Sequence, residues 1–148
     1  MNNKPILTIL LAGLIAGTAD ALAAIFILAA GNAAGVFKYI ASALYGKQAF
    51  AGGADMIIIG IVCHYIIAFA FVTFYYFIYP RVSLLRYNKY LSAFLYGIFT
   101  WLVMNLIVVP MTKIHQVFTW HNALLNVVIL MFTIGLPAAL IVRRRSTV

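Results

Sequence analysis

Four long runs of apolar residues, separated by short polar segments, dominate the chain. They extend over about Ile6–Ala29, Met56–Tyr79, Tyr90–Met111 and Trp120–Val142. Because an α-helix rises about 1.5 Å per residue, each run would be roughly 30 Å long or more, which matches the hydrocarbon core of a bilayer. No alternating ten-residue pattern recurs, so transmembrane strands are not indicated. The pattern predicts an all-α membrane protein with a bundle of four transmembrane helices.

The connection between the first and second runs carries a further helical pattern. Apolar residues recur there at helical spacing between two glycine-containing turns: Phe37, Ile40, Ala41 and Leu44. We predict a short helix within about residues 35–50 that lies at the membrane interface. A re-entrant helix is the alternative, and it would need protein cover for the polar groups at its backbone ends.

Composition restricts the class of protein. The chain has 148 residues, of which 66% are hydrophobic and 8% are charged. Soluble domains are usually about 45–50% apolar and about 25% charged, so this chain cannot cover itself with a water-soluble surface. Residues 1–148 are therefore predicted to form a single integral membrane domain, without a soluble domain beside it.

The positive charges mark the ends of the apolar runs. The formal net charge is +8, from ten Lys and Arg against two acidic residues. The N-terminus, the second connection and the C-terminus hold seven cations: Lys4, Arg81, Arg86, Lys89, Arg143, Arg144 and Arg145. The first and third connections hold three: Lys38, Lys47 and Lys113. This asymmetry predicts that both termini are cytoplasmic and that the bilayer itself is the partner of these cations. No separate basic face or nucleic-acid motif is present, so nucleic-acid binding is not predicted.

The first run contains a small-residue motif. Gly13 and Gly17 form a GxxxG element, which lets helix backbones approach closely. We predict that this row packs against another helix of the same subunit, with homodimerisation as the alternative. Asp20 follows Gly17 by three residues and lies on the same broad face, so it should face protein rather than lipid.

Each run carries one strongly polar side chain at a similar depth. Asp20, His64, Asn105 and Asn126 lie six to nine residues from the same end of their runs, roughly 9–14 Å deep. An ionisable group in a bilayer costs at least about 2.5–3.5 kcal/mol, which makes Asp20 the first candidate for a functional residue. An Asp20–His64 pair could hold or relay a proton, whereas Asn105 and Asn126 suit hydrogen bonding between helices.

Other polar residues point to no further chemistry. Thr18, Thr73, Thr100 and Thr133 are expected to bond carbonyl groups of their own helices. Cys63 is the single cysteine and is expected to pack as a small hydrophobe. The sequence contains no phosphate-binding loop, nucleophile elbow or zinc-protease motif, and no further thiols accompany Cys63. Neither a catalytic residue, a metal site nor a cofactor is therefore predicted.

Several short segments resemble a known family. They are Gly13–Gly17, Phe74–Arg81, Leu95–Gly97, Met104-Asn105 and Val109–Met111. In this arrangement, which covers about half of the chain, the sequence resembles the YagU-like family of bacterial inner-membrane proteins. The resemblance implies a four-helix protein of the bacterial inner membrane with no assigned reaction, so no catalytic residue is carried over. Asp20 and the compact first connection depart from the family pattern.

Two functions remain open from the sequence. The first is conduction or coupled transport of a proton or small solute through the layer formed by Asp20, His64, Asn105 and Asn126. The alternative is a structural or accessory subunit of a membrane complex. In that case Gly13, Gly17 and the aromatic second helix would form a partner surface, and Asp20 would bond only to one of the two asparagines.

Overall fold

The computed structural model describes residues 4–114 and 119–146, and it describes side chains up to Arg144. Four long helices dominate this part of the chain: α1 (Lys4–Leu28), α4 (Ala54–Ile78), α6 (Lys89–Met111) and α7 (Trp120–Arg144, with the helix running on to Ser146). Three short helices lie in the connections: α2 (Ala33–Tyr45), α3 (Gln48–Ala51) and α5 (Ser83–Tyr87). The described residues include no strand, so the predicted all-α class is confirmed.

All four long helices are long and apolar enough to cross a membrane. Their apolar spans begin and end within two residues of the predicted runs. Large apolar side chains remain exposed on their outer faces, for example Leu124, Val128 and Phe132 of α7, which recur every four residues along one stripe. A water-soluble domain would not expose so much contiguous apolar surface, and the helices identify a membrane protein.

Polar side chains fix where three of the helices begin. The Asn32 side chain accepts a hydrogen bond from the backbone N–H of Gly35 at the start of α2, at 2.8 Å. Asn88 accepts one from Tyr90 at 2.7 Å, and Thr119 accepts one from Asn122 at 3.4 Å. These caps satisfy N–H groups that have no partner within the helix.

The connections gather at two ends of the bundle. At one end, the backbone N–H of Lys113 donates to the carbonyl of Ala43 at 3.1 Å, which ties the third connection to α2. At the other end, residues 87–90 and Arg143 line one cavity. We call the end with residues 29–53 and 112–114 the connection end. The end with Lys4, Ser146 and residues 79–88 is the terminal end. The halves of the bundle nearest to them are the connection half and the terminal half.

The aromatic core fills the terminal half. Tyr75 and Tyr96 meet edge to face with ring centroids 4.7 Å apart. Each hydroxyl is hydrogen-bonded inside the protein, Tyr75 to Ser92 Oγ at 2.6 Å and Tyr96 to the carbonyl of Phe71 at 2.5 Å. Buried apolar residues from the four long helices and α5 complete this core: Ala12, Ala16, Phe71, Val72, Tyr79, Leu85, Ala93, Ile134, Ala138, Ala139 and Val142. The satisfied hydroxyls let these large rings pack in the buried core.

Glycines allow helix backbones to come into contact, as Gly135 and Gly60 illustrate. A β-carbon on Gly135 of α7 would overlap the carbonyl of Ala93, so α6 and α7 are in backbone contact there. A β-carbon on Gly60 of α4 would overlap the carbonyl of Phe37, so α2 packs directly on α4. Gly60 is the seventh residue of α4, about 9 Å along that helix from its first residue. The predicted helix of the first connection is present, and its place relative to a bilayer stays a prediction.

Three of the long helices contain a wide π-helical turn. These turns cover Ala24–Leu28 of α1, Met104–Val108 of α6 and Met131–Gly135 of α7. A π turn carries an extra residue per turn and rotates the following side chains relative to an uninterrupted α-helix. The turn in α7 contains Thr133, which belongs to the site described next.

Candidate functional site

Asp20 points from α1 into the bundle. Its carboxylate oxygen Oδ1 accepts a hydrogen bond from the Thr133 hydroxyl of α7 at 2.8 Å. Thr133 is buried and Asp20 is partly buried. The side chain therefore faces protein, as the small-residue row predicted. The partner that lowers the cost of placing a carboxyl group here is a hydroxyl of the fourth long helix.

His64 extends from α4 to the same stretch of α1. Its imidazole is buried, and Nε2 lies 2.8 Å from the carbonyl oxygen of Gly17. Because a carbonyl oxygen only accepts hydrogen bonds, Nε2 must carry the proton of this bond.

Gly17 makes this arrangement possible. A β-carbon on Gly17 would lie 3.0 Å from the Tyr65 ring and 3.1 Å from the β-carbon of Ala68, closer than ordinary van der Waals contact. The missing side chain brings α4 close enough for His64 to reach a backbone carbonyl of α1. Gly13 packs against the ring of Phe69 in the same way.

Asp20 and His64 are neighbours without being directly bonded. In the part of the chain that the structure describes, no hydrogen bond or ion pair joins their side chains, yet they are close enough to interact electrostatically. Both are attached to one turn of α1, His64 through Gly17 and Asp20 three residues later. Two titratable groups thus meet inside the bundle, each with its own fixed partner.

Thr133 can serve Asp20 in both charge states. Its hydroxyl oxygen lies 2.8 Å from Asp20 Oδ1 and 2.9 Å from the carbonyl oxygen of Ile129. One hydroxyl proton cannot be donated to both. When Asp20 is ionised, Thr133 donates to the carboxylate. When Asp20 is protonated, its O–H can donate to Thr133, which then donates to Ile129. The same positions of the oxygen atoms accommodate either state.

Aromatic rings and α2 enclose His64. The Phe37 ring of α2 meets the imidazole edge to face at 6.4 Å, and the Tyr65 ring does so at 5.5 Å. The Tyr65 hydroxyl is itself hydrogen-bonded to Thr18 of α1 at 2.8 Å. These contacts restrict rotation of the imidazole and hold α1 and α4 together on both sides of the Gly17 carbonyl.

The two asparagines are not part of this arrangement. Asn105 Nδ2 donates to the carbonyl of Trp101 at 2.9 Å, and Asn126 Nδ2 donates to the carbonyl of Asn122 at 2.8 Å. Each bond stays within the asparagine's own helix. The predicted hydrogen bonds from these amides to other helices are therefore not found among the described residues. The sequence predicts one depth for the four polar residues, but among the described residues only Asp20 and His64 come together. Depth does not determine the direction in which a side chain points.

The threonines also differ from their predicted roles. Of Thr18, Thr73, Thr100 and Thr133, only Thr133 bonds a carbonyl of its own helix in the described structure. Thr18 bonds Tyr65 instead, and the buried Thr100 hydroxyl has no hydrogen-bond partner among the described residues. The sequence contained one signal for Thr133, a polar residue in the middle of an apolar run, but it did not identify Asp20 as its partner.

The contacts of Gly13 and Gly17 are relevant to the alternative function, a structural or accessory subunit. Gly13 and Gly17 are buried under α4 of the same chain. A second copy or another subunit therefore cannot pack on this row without displacing α4. Asp20 bonds neither Asn105 nor Asn126, the contacts expected for a purely structural carboxylate.

The site offers few ligands for a metal ion. Asp20 and His64 are its titratable side chains, and no group of three His, Cys, Asp or Glu residues that could hold a metal occurs among the described residues. Cys63 precedes His64 in α4 and is partly buried. Adjacent residues of a helix point in different directions, so Cys63 does not extend the pair.

No protein-family model, curated protein or solved structure matches this chain. The resemblance to the YagU-like family stays a prediction, and the functional argument depends on the geometry of the Asp20 site.

Proposed function

We propose that this protein binds and releases protons at Asp20 and thereby conducts protons, or couples them to a small solute, across a membrane. One observation carries the proposal. An acidic side chain inside an apolar bundle is held by the Thr133 hydroxyl of a second helix, beside the titratable His64 of a third. Intramembrane ionisable residues are costly and typically mark ion or proton pathways.

The hydrogen bonds support reversible protonation. Asp20, Thr133 and the carbonyl of Ile129 form a chain in which a proton can be added to the carboxylate while every polar group keeps a partner. His64 supplies a second ionisable side chain beside the carboxyl group. Its bond to Gly17 keeps it in place in either charge state.

Protons are expected to reach Asp20 from the connection end. On α7, Asn122, Asn126, Ile129 and Thr133 follow one another at intervals of three or four residues and so share one face. α1 packs closely against residues 131–146 of α7 and much less against residues 120–130. Between Asp20 and the connection end, α1 therefore leaves the face with Asn122 and Asn126 largely uncovered. Asn126 is partly buried there and Asn122 is exposed.

The terminal half opposes passage on the other side. Directly beyond Thr133, Ile134, Ala138 and Val142 are buried in the aromatic core. In the proposed mechanism, Asp20 exchanges protons with the connection end in this arrangement. If the termini are cytoplasmic, as the cation asymmetry predicts, that end faces away from the cytoplasm. Transport through the protein would then require the aromatic core to loosen in a second state.

Proton flux into liposomes tests the proposal. The purified protein is reconstituted with a pH-sensitive dye inside, and flux is driven by a potassium diffusion potential. We expect the wild type to exceed protein-free liposomes and Asp20→Asn to fall to their level, because an amide cannot exchange a proton in this range. Asp55→Asn is the matched control, since Asp55 is exposed at the start of α4 and is the only other acidic residue.

The outcomes separate the two functions. Equal flux in wild type and Asp20→Asn contradicts proton transfer at Asp20. A wild type indistinguishable from empty liposomes, over a panel of small solutes as well, contradicts transport altogether and leaves the accessory subunit as the remaining candidate. The expected pattern is loss in Asp20→Asn with wild-type flux in Asp55→Asn.

A further inference from the structure

The middle of α7 combines two features that weaken a helix. The π turn at Met131–Gly135 places an extra residue in the helix, and Pro137 follows it closely. Proline has no backbone N–H, and its ring crowds the carbonyl of the fourth residue before it, which here is Thr133. Helix bends usually occur at prolines or at π turns. We therefore call residues 131–137, where both features meet, the hinge segment.

The hinge segment is attached to α1 through Asp20. Thr133, the central residue of the π turn, donates to Asp20 Oδ1 at 2.8 Å when Asp20 is ionised. Hydrogen bonds to an ionised group are roughly twice as strong as bonds between neutral groups. Protonation of Asp20 leaves these oxygen atoms compatible but replaces the charge-assisted bond by a neutral one. The charge of Asp20 therefore sets how firmly α1 holds the hinge segment.

α6 holds both ends of the π turn. A β-carbon on Gly97 of α6 would lie 2.7 Å from the Cα atom of Met131, and one on Gly135 would overlap the carbonyl of Ala93. These backbone contacts fix the π turn against α6 whatever the charge of Asp20. When the bond to α1 weakens, the part of α7 that follows the π turn is the part that we expect to move.

That part of α7 covers the aromatic core. Ala138, Ala139 and Val142 are buried in the core, and residues 136–146 pack closely against α1 and α6. A bend in the hinge segment would carry these residues away from the core together. The proposed function requires the aromatic core to loosen in a second state, and the hinge segment connects such a movement to Asp20.

We infer that the hinge segment responds to the proton on Asp20: the ionised carboxylate holds the end of α7 against the aromatic core, and protonation lets that end bend away. The inference rests on the proposed proton binding at Asp20 and adds the element that moves. It assigns Thr133 two roles, as the hydrogen-bond partner of Asp20 and as part of the hinge segment.

The other ionisable groups around Asp20 must be separated from it. Among the described residues, His64 of α4 interacts electrostatically with Asp20. Cys63 and Tyr65 flank His64 in sequence, and the Tyr65 hydroxyl is bonded to Thr18. The ionisable side chains of α7 lie toward its two ends: His121, Arg143 and Arg144. His64→Gln is therefore the variant that separates a response of Asp20 from one of its neighbour.

Pulsed electron paramagnetic resonance on the whole protein in liposomes tests the inference at acidic and alkaline pH. In a Cys63→Ala background, spin labels are attached at Phe77→Cys of α4 and Leu140→Cys of α7. Phe77 is exposed near the terminal end of α4, and Leu140 lies beyond the hinge segment. The control pair is Ile58→Cys with Leu124→Cys, two exposed positions on the same helices but on the connection side of the hinge segment.

We expect acidification to lengthen the distance between labels 77 and 140 and to leave the control distance unchanged. Leu140 lies about 10 Å along the helix from Thr133, so a bend of about 20° would displace it by about 3 Å. Asp20→Asn, which carries no charge, should show the long distance at both pH values. His64→Gln should retain the change. Pro137→Ala restores a backbone N–H in the hinge segment and should reduce the change.

A distance between labels 77 and 140 that does not depend on pH overturns the inference. So does a change that persists in Asp20→Asn, one that is lost in His64→Gln, or one of equal size in the control pair. The full change in Pro137→Ala would place the bend elsewhere and contradict the hinge segment. Proton flux without a distance change leaves the proposed function in place, whereas a distance change without flux contradicts transport and retains the hinge segment.

Discussion

The two halves of this bundle accommodate polar groups between their helices in different ways. In the terminal half, every long helix contributes to the aromatic core, and the hydroxyls of Tyr75 and Tyr96 are satisfied within it. In the connection half, helices separate around partly buried polar groups, and α1 and α6 contain π turns. The comparison suggests that the terminal half supplies stability, while the connection half retains the irregularity that a proton-binding site needs.

The largest difference between the halves should appear when glycine contacts are broken. Gly135→Val forces α7 away from Ala93 inside the terminal half, and we expect it to destabilise the protein by about 3 kcal/mol or more, at the upper end of overpacking effects. Gly60→Val displaces α2 from α4 but leaves the aromatic core intact, so we expect a loss of about 1 kcal/mol. Loss of helicity during titration with denaturing detergent measures both.

Gly53→Val is the control for these variants, because Gly53 has only an ordinary contact with Asp55 at 3.5 Å. It should unfold within a few tenths of a kcal/mol of wild type, as surface substitutions usually do. If Gly60→Val unfolds the protein as readily as Gly135→Val does, the terminal half does not supply most of the stability.

Water access should differ sharply between two faces of α7. In a Cys63→Ala background, we expect Asn126→Cys to react with a charged, membrane-impermeant thiol reagent. Leu124→Cys and Val128→Cys should react at least about 50-fold more slowly, because their exposed apolar faces would lie in hydrocarbon, where a charge costs about 2.5 kcal/mol or more. The modification is followed by mass spectrometry in liposomes, and equal rates at residues 124, 126 and 128 would argue against a polar path.

The smallest effects come from removing one hydroxyl in each half. Thr133→Val takes away the hydrogen-bond donor of Asp20, and we expect proton flux to fall severalfold while Thr133→Ser preserves it. Tyr75→Phe takes away the bond to Ser92, and we expect a loss of about 0.6 kcal/mol, at most about 1.7, with flux unchanged. Liposome flux and detergent unfolding are measured on all three variants.

Thr133→Val and Tyr75→Phe have opposite expected effects: the first should lower proton flux, and the second should lower stability without changing flux. A Tyr75→Phe variant that lost as much flux as Thr133→Val would mean that the aromatic core takes part in proton transfer. A Thr133→Val variant with full flux would mean that Asp20 does not need its hydroxyl partner.

The lengths and positions of the apolar runs predicted most of the fold. The long helices could be located to within two residues because only a helix satisfies the backbone polar groups of such apolar runs in a bilayer. The small residues Gly13 and Gly17 correctly indicated that Asp20 faces protein, since a close helix contact there requires missing side chains. The positions of the π turns had no visible signal in the apolar pattern.

The composition of the site was only partly predictable. Counting 1.5 Å per residue aligned Asp20 with Asn105 and Asn126, but its partner is Thr133, the fourteenth residue of α7. Helix tilt and π turns shift the levels of facing residues, and depth says nothing about which side of a helix a residue occupies. His64 was identified by depth and charge, whereas its bond to the Gly17 carbonyl depends on how closely α4 approaches α1.

The most direct test of proton exchange at Asp20 is infrared difference spectroscopy between acidic and alkaline pH. The Asp55→Asn variant retains Asp20 as its only acidic side chain. The double variant with Asp20→Asn is the reference, and subtracting its spectrum cancels the signal of the C-terminal carboxyl group. We expect a carbonyl stretch of a protonated carboxyl group that appears on acidification, disappears on alkalinisation and is missing from the reference. Identical difference spectra for the two proteins would contradict proton exchange at Asp20.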